Sequence, residues 1–176
     1  MEQLSKQEFR ALLEAAKAAS KRDWLMILVG RNHGLRASEL VGFTRDNIKD
    51  GFLVIQRCKG SKETVQPLIS SPDPLFDERT ALLDYISQMD SNQAVFKMST
   101  RHCLRLIHRH AASAGLPQHK GKTKILKQTC GRQLLETKPI NYVQTWLGHK
   151  SLSSTGAYTR VSDEEAGDAC KGSFKD

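Results

Sequence analysis

The chain has 176 residues, close to one domain at about 150 residues each and long enough to bury a core without disulfide or metal staples. Its 27 Lys and Arg against 19 Asp and Glu leave a formal charge of +8, with 39% hydrophobic and 26% charged residues. That balance excludes a disordered tail and a collagen, and no apolar run reaches the roughly 18 residues of a membrane-spanning helix.

Ser5-Lys6-Gln7-Glu8 reads as a capping box, with Phe9, Leu12, Leu13 and Ala16 following at helical spacing. A second helix runs from Asp23 to about Asn32, so apolar that it should be central, and Gly34 ends it. A short amphipathic segment, Arg36 to Phe43, buries Leu40 and Val41. Strand signals then replace helical ones: Asn47-Ile48, a turn at Asp50-Gly51, Phe52 to Ile55, a turn at Lys59 to Lys62, and Thr64 to Ile69. Pro67 lacks a backbone donor and places that last strand at an edge.

Helices return with Asp77 to Met89, carrying Leu82, Leu83 and Ile86 on one face. Thr100 to Ala114 sets Leu104, Ile107 and Ala111 opposite Arg101, Arg105 and Arg109. His119 to Lys124 is the densest basic patch. Further helices are predicted over Ile125 to Leu135, Ile140 to Leu147 and Ser153 to Tyr158, with Gly167 to Asp176 a mobile tail. The fold class is α+β, mostly helical, with a small three-stranded antiparallel sheet.

Met1 to Phe9 lacks the apolar stretch of a secretory signal, and Cys58, Cys103, Cys130 and Cys170 form no C-x-x-C pair. Reduced thiols and a cytoplasmic location follow as expectations. His102-Cys103 and His108-x-His110 match no familiar zinc spacing, so no metal or cofactor is expected. The basic surplus raises the expectation of a polyanionic partner, although an indifferent basic surface would show the same surplus.

Three segments carry a resemblance: Gly34-Leu35-Arg36-Ala37-Ser38-Glu39-Leu40; Lys59-Gly60-Ser61-Lys62-Glu63 with Val65-Gln66-Pro67-Leu68; and Leu147-Gly148-His149-Lys150-Ser151 with Tyr158 nine residues after the histidine. In order and spacing they resemble the catalytic domain of the tyrosine recombinases, the integrase, Xer and fimbrial-invertase family. The resemblance implies a DNA recombinase that cuts and rejoins duplex DNA through a 3′-phosphotyrosyl link. Tyr158 would be the nucleophile, Arg36 the fork on the phosphate oxygens, Lys59 the acid for the leaving 5′-oxygen, and His149 a phosphate or tyrosine partner. Glu39 is expected to brace its helix.

The chain departs from the family in its H-x-x-R box, which reads Lys124-Ile125-Leu126-Lys127, so that Lys124 and Lys127 are expected in the catalytic set in place of its histidine and arginine. Lysine keeps the charge at Lys127 but loses the two-pronged contact of an arginine. This supports a second reading, a recombinase-like DNA-binding or regulatory protein with weakened or lost cleavage. On the resemblance, residues 1–162 form the catalytic domain, residues 163–176 a C-terminal tail, and an N-terminal core-binding domain is missing. DNA contacts are expected from Arg45, Lys62, Arg101, Arg105, Lys120 and Lys122, with assembly into a tetramer on DNA or pairing with a second recombinase.

Overall fold

The structure is a computed structural model that describes residues 2–58 and 61–156. Lys59, Gly60 and residues 157–176, with Tyr158, Cys170 and the expected tail among them, lie outside the described residues. In chain order the elements are α1 (Lys6–Ala19), α2 (Lys21–Asn32), α3 (Ala37–Gly42), β1 (Ile48–Lys49), β2 (Phe52–Ile55), β3 (Thr64–Pro67), α4 (Glu78–Ile86), α5 (Thr100–Ser113), α6 (Thr123–Leu135), α7 (Ile140–Leu147) and α8 (Leu152–Gly156). Among the described residues no helix is long and apolar enough to cross a membrane.

The capping box forms: Ser5 Oγ accepts from the Glu8 N–H at 3.1 Å, and Glu8 Oε2 accepts from the Ser5 N–H at 2.8 Å. Phe9, Leu12, Leu13 and Ala16 of α1 are buried against α2. In α2 every residue from Asp23 to Gly30 is buried, and the helix touches α1, α3, α4, α5 and α6. An all-round apolar helix is stable only when its neighbours cover every face, which makes α2 the axis of the fold.

The sheet has the order β1-β2-β3, both pairs antiparallel. Asp50 and Gly51 both take positive φ, 50° and 79°, the backbone of the tight turn that matches strand twist. β3 stops at Pro67 rather than Ile69 and lies at the sheet edge, as a residue without a ladder donor requires. Thr64 and Gln66 face inward from β3 while Val65 faces out, so a polar pair points into the protein.

Two packing expectations change. On α5 the buried stripe is Cys103, Leu106, Ile107, His110 and Ala111, and Leu104 is 40% exposed. The stripe at spacings of three and four runs through Cys103, which rotates Leu104 to the rim beside the arginines. His110 is paired within the core with Asp23, its Nε2 lying 2.8 Å from Asp23 Oδ2. Val41 is half-buried, because the six-residue α3 buries only Glu39 and Leu40.

Gly34 follows α2 at φ +59°, and a Cβ there would lie 2.4 Å from Leu147 Cδ2. The left-handed turn therefore serves both to end α2 and to admit α7. Gly34→Ala is expected to cost about 2 kcal/mol or more, through strain and the clash. Urea titration checks this as a lower midpoint at unchanged slope.

Candidate active site

Arg36 is the N-cap of α3 and is held by Glu39 in two ways. Its N–H donates to Glu39 Oε2 at 2.8 Å, and Nη1 donates to Glu39 Oε1 at 2.9 Å and to Ser61 Oγ at 3.3 Å. One edge of the guanidinium is thus fixed by protein while the side chain stays 40% exposed. A planar fork held on one edge and open on the other can receive a phosphate oxygen.

Glu39 is buried and has a further task, since Oε1 accepts from the Cys58 N–H at 3.0 Å. Burial opposes its charge, but the N–H donors of Arg36 and Cys58 and the Arg57 cation outweigh burial and hold its pKa at about 2. The bracing role expected of Glu39 is what the geometry shows.

Arg57 was not among the predicted residues, yet it is the best-anchored cation of the region. Nε donates to Thr64 Oγ1 at 3.0 Å, Nη1 to the Gly34 carbonyl at 3.2 Å and to Glu39 Oε2 at 3.3 Å, and Nη2 to the carbonyls of His33 at 3.0 Å and Trp146 at 2.9 Å. The signal was present in sequence: Leu53, Ile55 and Arg57 alternate onto one face, and the first two are buried. A guanidinium with every nitrogen engaged has no donor left for a ligand.

Lys127 sits on α6, 8% exposed, and its Nζ has no hydrogen-bond partner among the described residues. Burial, followed by repulsion from Arg57 and Arg36, lowers its pKa to about 8. His149 follows Gly148, which ends α7 in a left-handed conformation at φ +68°. A Cβ on Gly148 would come within 2.8 Å of the Lys62 carbonyl, and the Lys62 N–H donates to the Gly148 carbonyl at 2.9 Å. His149 Nδ1 lies 2.9 Å from Thr155 Oγ1. Burial, then the charges of Lys127, Arg36 and Arg57, lowers the His149 pKa to about 4.

Arg36, Lys127 and His149 are therefore drawn from three distant stretches into one electrostatic cluster, in which the Arg36 charge lowers the proton affinity of both Lys127 and His149. Ser61, just past the undescribed Lys59 and Gly60, bridges to His149 and meets Arg36. Lys59 and Tyr158 themselves lie outside the described residues.

The other predicted residues lie elsewhere. Lys122 and Lys124 are exposed and share with Arg105, His108, Arg109 and Leu104 a groove of about 540 Å³ between α5 and the start of α6. Arg101 is exposed one turn earlier on α5, and Lys62 is exposed beside β3. Arg45 is half-buried in a short helical turn, its N–H donating to the Gln93 carbonyl. Lys120 is tied to both oxygens of Glu8, at 2.6 and 2.8 Å, so part of its charge is answered inside the protein.

The family model described as the phage integrase family matches residues 2–165. The chain is 33% identical over 171 residues to tyrosine recombinase XerA of Thermococcus kodakarensis, covering 92% of this chain and 58% of the relative. It is 28% identical over 173 residues to the type 1 fimbriae regulatory protein FimE of Escherichia coli K12, covering 89% and 84%. The chain thus spans more than half of the first relative and most of the second. The fold superposes on a crystal structure of XerH site-specific recombinase bound to difH substrate with a TM-score of 0.77 at 18% identity, covering 99% of this chain and 55% of that one.

The buried Lys127 ammonium gives a stability test. Because the folded pKa of Lys127 is about 8 against 10.5 for the free side chain, the unfolded chain binds the extra proton between those values, and stability rises with pH across that window. Lys127→Met is expected to stabilise the DNA-free protein by about 1–3 kcal/mol at pH 7 and to remove that rise. Urea unfolding of both proteins as a function of pH provides the measurement.

Proposed function

This chain belongs to the phage integrase family, and on that footing we propose that it is a site-specific DNA recombinase that cuts and rejoins duplex DNA through Tyr158. The observation that carries the reading is the buried Lys127 ammonium, without a hydrogen-bond partner among the described residues, beside the half-open Arg36 fork and His149. Such a cluster is costly to fold and is relieved by an anion, and a DNA phosphodiester supplies one.

In this reading the Tyr158 oxygen attacks phosphorus, the bond to the 5′-oxygen breaks, and a 3′-phosphotyrosyl link forms. Lys59 gives a proton to the departing 5′-oxygen. Support for Lys59 comes from its described flanks, since Cys58 and Ser61 both contact the Arg36–Glu39 pair. Arg36 and Lys127 hold the nonbridging oxygens, where negative charge grows as phosphorus becomes five-coordinate. His149, neutral at pH 7 because its pKa is about 4, serves to hydrogen-bond the phosphate or to take up the tyrosine proton, and a bound phosphate raises its proton affinity. The new ester conserves the energy of the old one, so attack by a 5′-hydroxyl rejoins the strand with no nucleotide cofactor.

Arg101, Arg105, Lys122 and Lys124 place exposed cations along the α5–α6 face, and Lys62 and Arg45 extend the basic surface near the sheet. They serve as phosphate contacts that fix the duplex over the site, while Lys120, already paired with Glu8, contributes less. Residues 1–162 act as the catalytic domain, working in the DNA-containing cytoplasm, with a tetramer or a second recombinase completing the synapse. A second reading, DNA holding without cutting, is favoured by one observation: a single ammonium stands at Lys127 where two guanidinium donors are expected.

A nicked suicide duplex carrying the sequence that flanks the encoding gene separates the two readings. A covalent adduct is expected with the native chain and none with Tyr158→Phe; tight binding without an adduct selects the holding function. Lys127→Arg is expected to keep or raise the rate of adduct formation, and a complete loss would show that Lys127 does not occupy the second-arginine position. Both are scored by denaturing gel.

A further inference from the structure

The last turn of α7 leaves carbonyls that no helical N–H reaches. The Gly148 N–H takes the Thr145 carbonyl at 3.1 Å, and the His149 N–H takes the Gln144 carbonyl at 3.0 Å. The Trp146 carbonyl is capped by side chains instead, receiving Arg57 Nη2 at 2.9 Å and Gln66 Nε2. Gln66 is 1% exposed on the inward face of β3, where an apolar residue would ordinarily stand.

The orientation of that amide is fixed from behind. His33 Nδ1 donates to Gln66 Oε1 at 2.6 Å, which obliges the amide nitrogen to face Trp146. His33 Nε2 lies 2.6 Å from Glu78 Oε1, and Glu78 Oε2 accepts from Asn32 Nδ2 at 2.5 Å. Both His33 and Glu78 side chains are 0% exposed. The His33 ring also stacks on the Trp146 indole, centroids 6.0 Å apart and planes 10° from parallel, while the indole Nε1 donates to the Asn32 carbonyl at 3.0 Å. Trp146 is thus held at its carbonyl, its ring face and its ring nitrogen.

A buried polar pair stabilises poorly compared with apolar side chains of the same volume, so its yield is sought in orientation. From Trp146 to His149 the chain has little slack: Leu147 is fully buried, and Gly148 is wedged against the Lys62 carbonyl and Arg57 Cγ. Displacement of Trp146 is passed on to His149. We propose that His33 and Glu78, acting through Gln66 and Trp146, are positioning residues that fix the end of α7 and so hold His149 against the Arg36–Lys127 cluster. The proposal rests on the reading of His149 as a residue of the phosphate site.

The test uses three variants. His33→Leu/Glu78→Leu removes both buried polar partners and restores apolar packing, Gln66→Leu removes the link alone, and Glu78→Gln keeps a polar side chain of the same shape opposite His33 Nε2. Thermal unfolding and duplex affinity are measured beside two readouts of position, the rate of adduct trapping and the NMR titration of the His149 ring. In the double variant and in Gln66→Leu, duplex affinity is expected within about twofold of the native chain, trapping slower by about tenfold or more, and the His149 pKa displaced upward from about 4 toward 6.5. Glu78→Gln is expected to keep both readouts near native. The proposal is overturned if either disrupting variant folds with native trapping and a native His149 titration, or if Glu78→Gln loses them as fully as the double variant does. Should the native chain form no adduct at all, the recombinase reading fails, and the His149 titration still decides the positioning.

Discussion

The guanidinium of Arg57 sets the frame on which the rest of the structure depends. It binds the carbonyls of His33 and Gly34 where α2 ends, Glu39 in α3, Thr64 in β3 and the Trp146 carbonyl where α7 ends. Each group is a loose end: an orphan carbonyl at a helix terminus, an inward hydroxyl on an edge strand, a buried carboxylate. Joining them through one rigid, permanently charged plane satisfies several buried acceptors with a single side chain. Without it, both the turn that presents Arg36 and the loop that presents His149 would lose their common anchor.

That arrangement explains why the neighbouring groups behave as they do. Arg57 and Glu39 balance one another, so the remaining positive charge falls on Arg36 and Lys127, and His149 stays neutral beside them. The ligand-free molecule therefore holds excess positive potential in a largely dry place. An anion entering there gains more than it would at a solvated basic surface, because low polarity strengthens each contact. The exposed cations of α5 and α6 differ in kind: they act at range and are screened by salt.

Much of this was legible in the sequence, and the failures have physical causes. The capping box at Ser5 and the limits of α7 are local features, and the structure reproduces them. Leu104 misled because α5 has cations at nearly every turn, and the true seam passes through Cys103 and His110, residues that do not look apolar. Arg57 was overlooked because a charged residue after a strand reads as solvated, although the alternation of Leu53 and Ile55 already pointed it inward. The pairing of Lys120 with Glu8 spans 112 positions and leaves no local trace. The box that departs from the family is visible in the sequence, but the burial of Lys127 and its lack of a hydrogen-bond partner among the described residues are properties of three-dimensional packing alone.

The start of the chain reaches across the molecule, where the Leu4 N–H donates to Thr129 Oγ1 over 125 positions. Thr129 is two residues beyond Lys127 on the same helix, and its hydroxyl in turn donates to the Ile125 carbonyl. Contacts of such separation close late, since the loop entropy must be met before they are rewarded. The charged cluster, drawn from α3, α6 and the end of α7, is therefore a product of the completed chain fold. The start of the chain is thereby tied to the middle of α6, so that a change at Leu4 bears on the helix that carries Lys127.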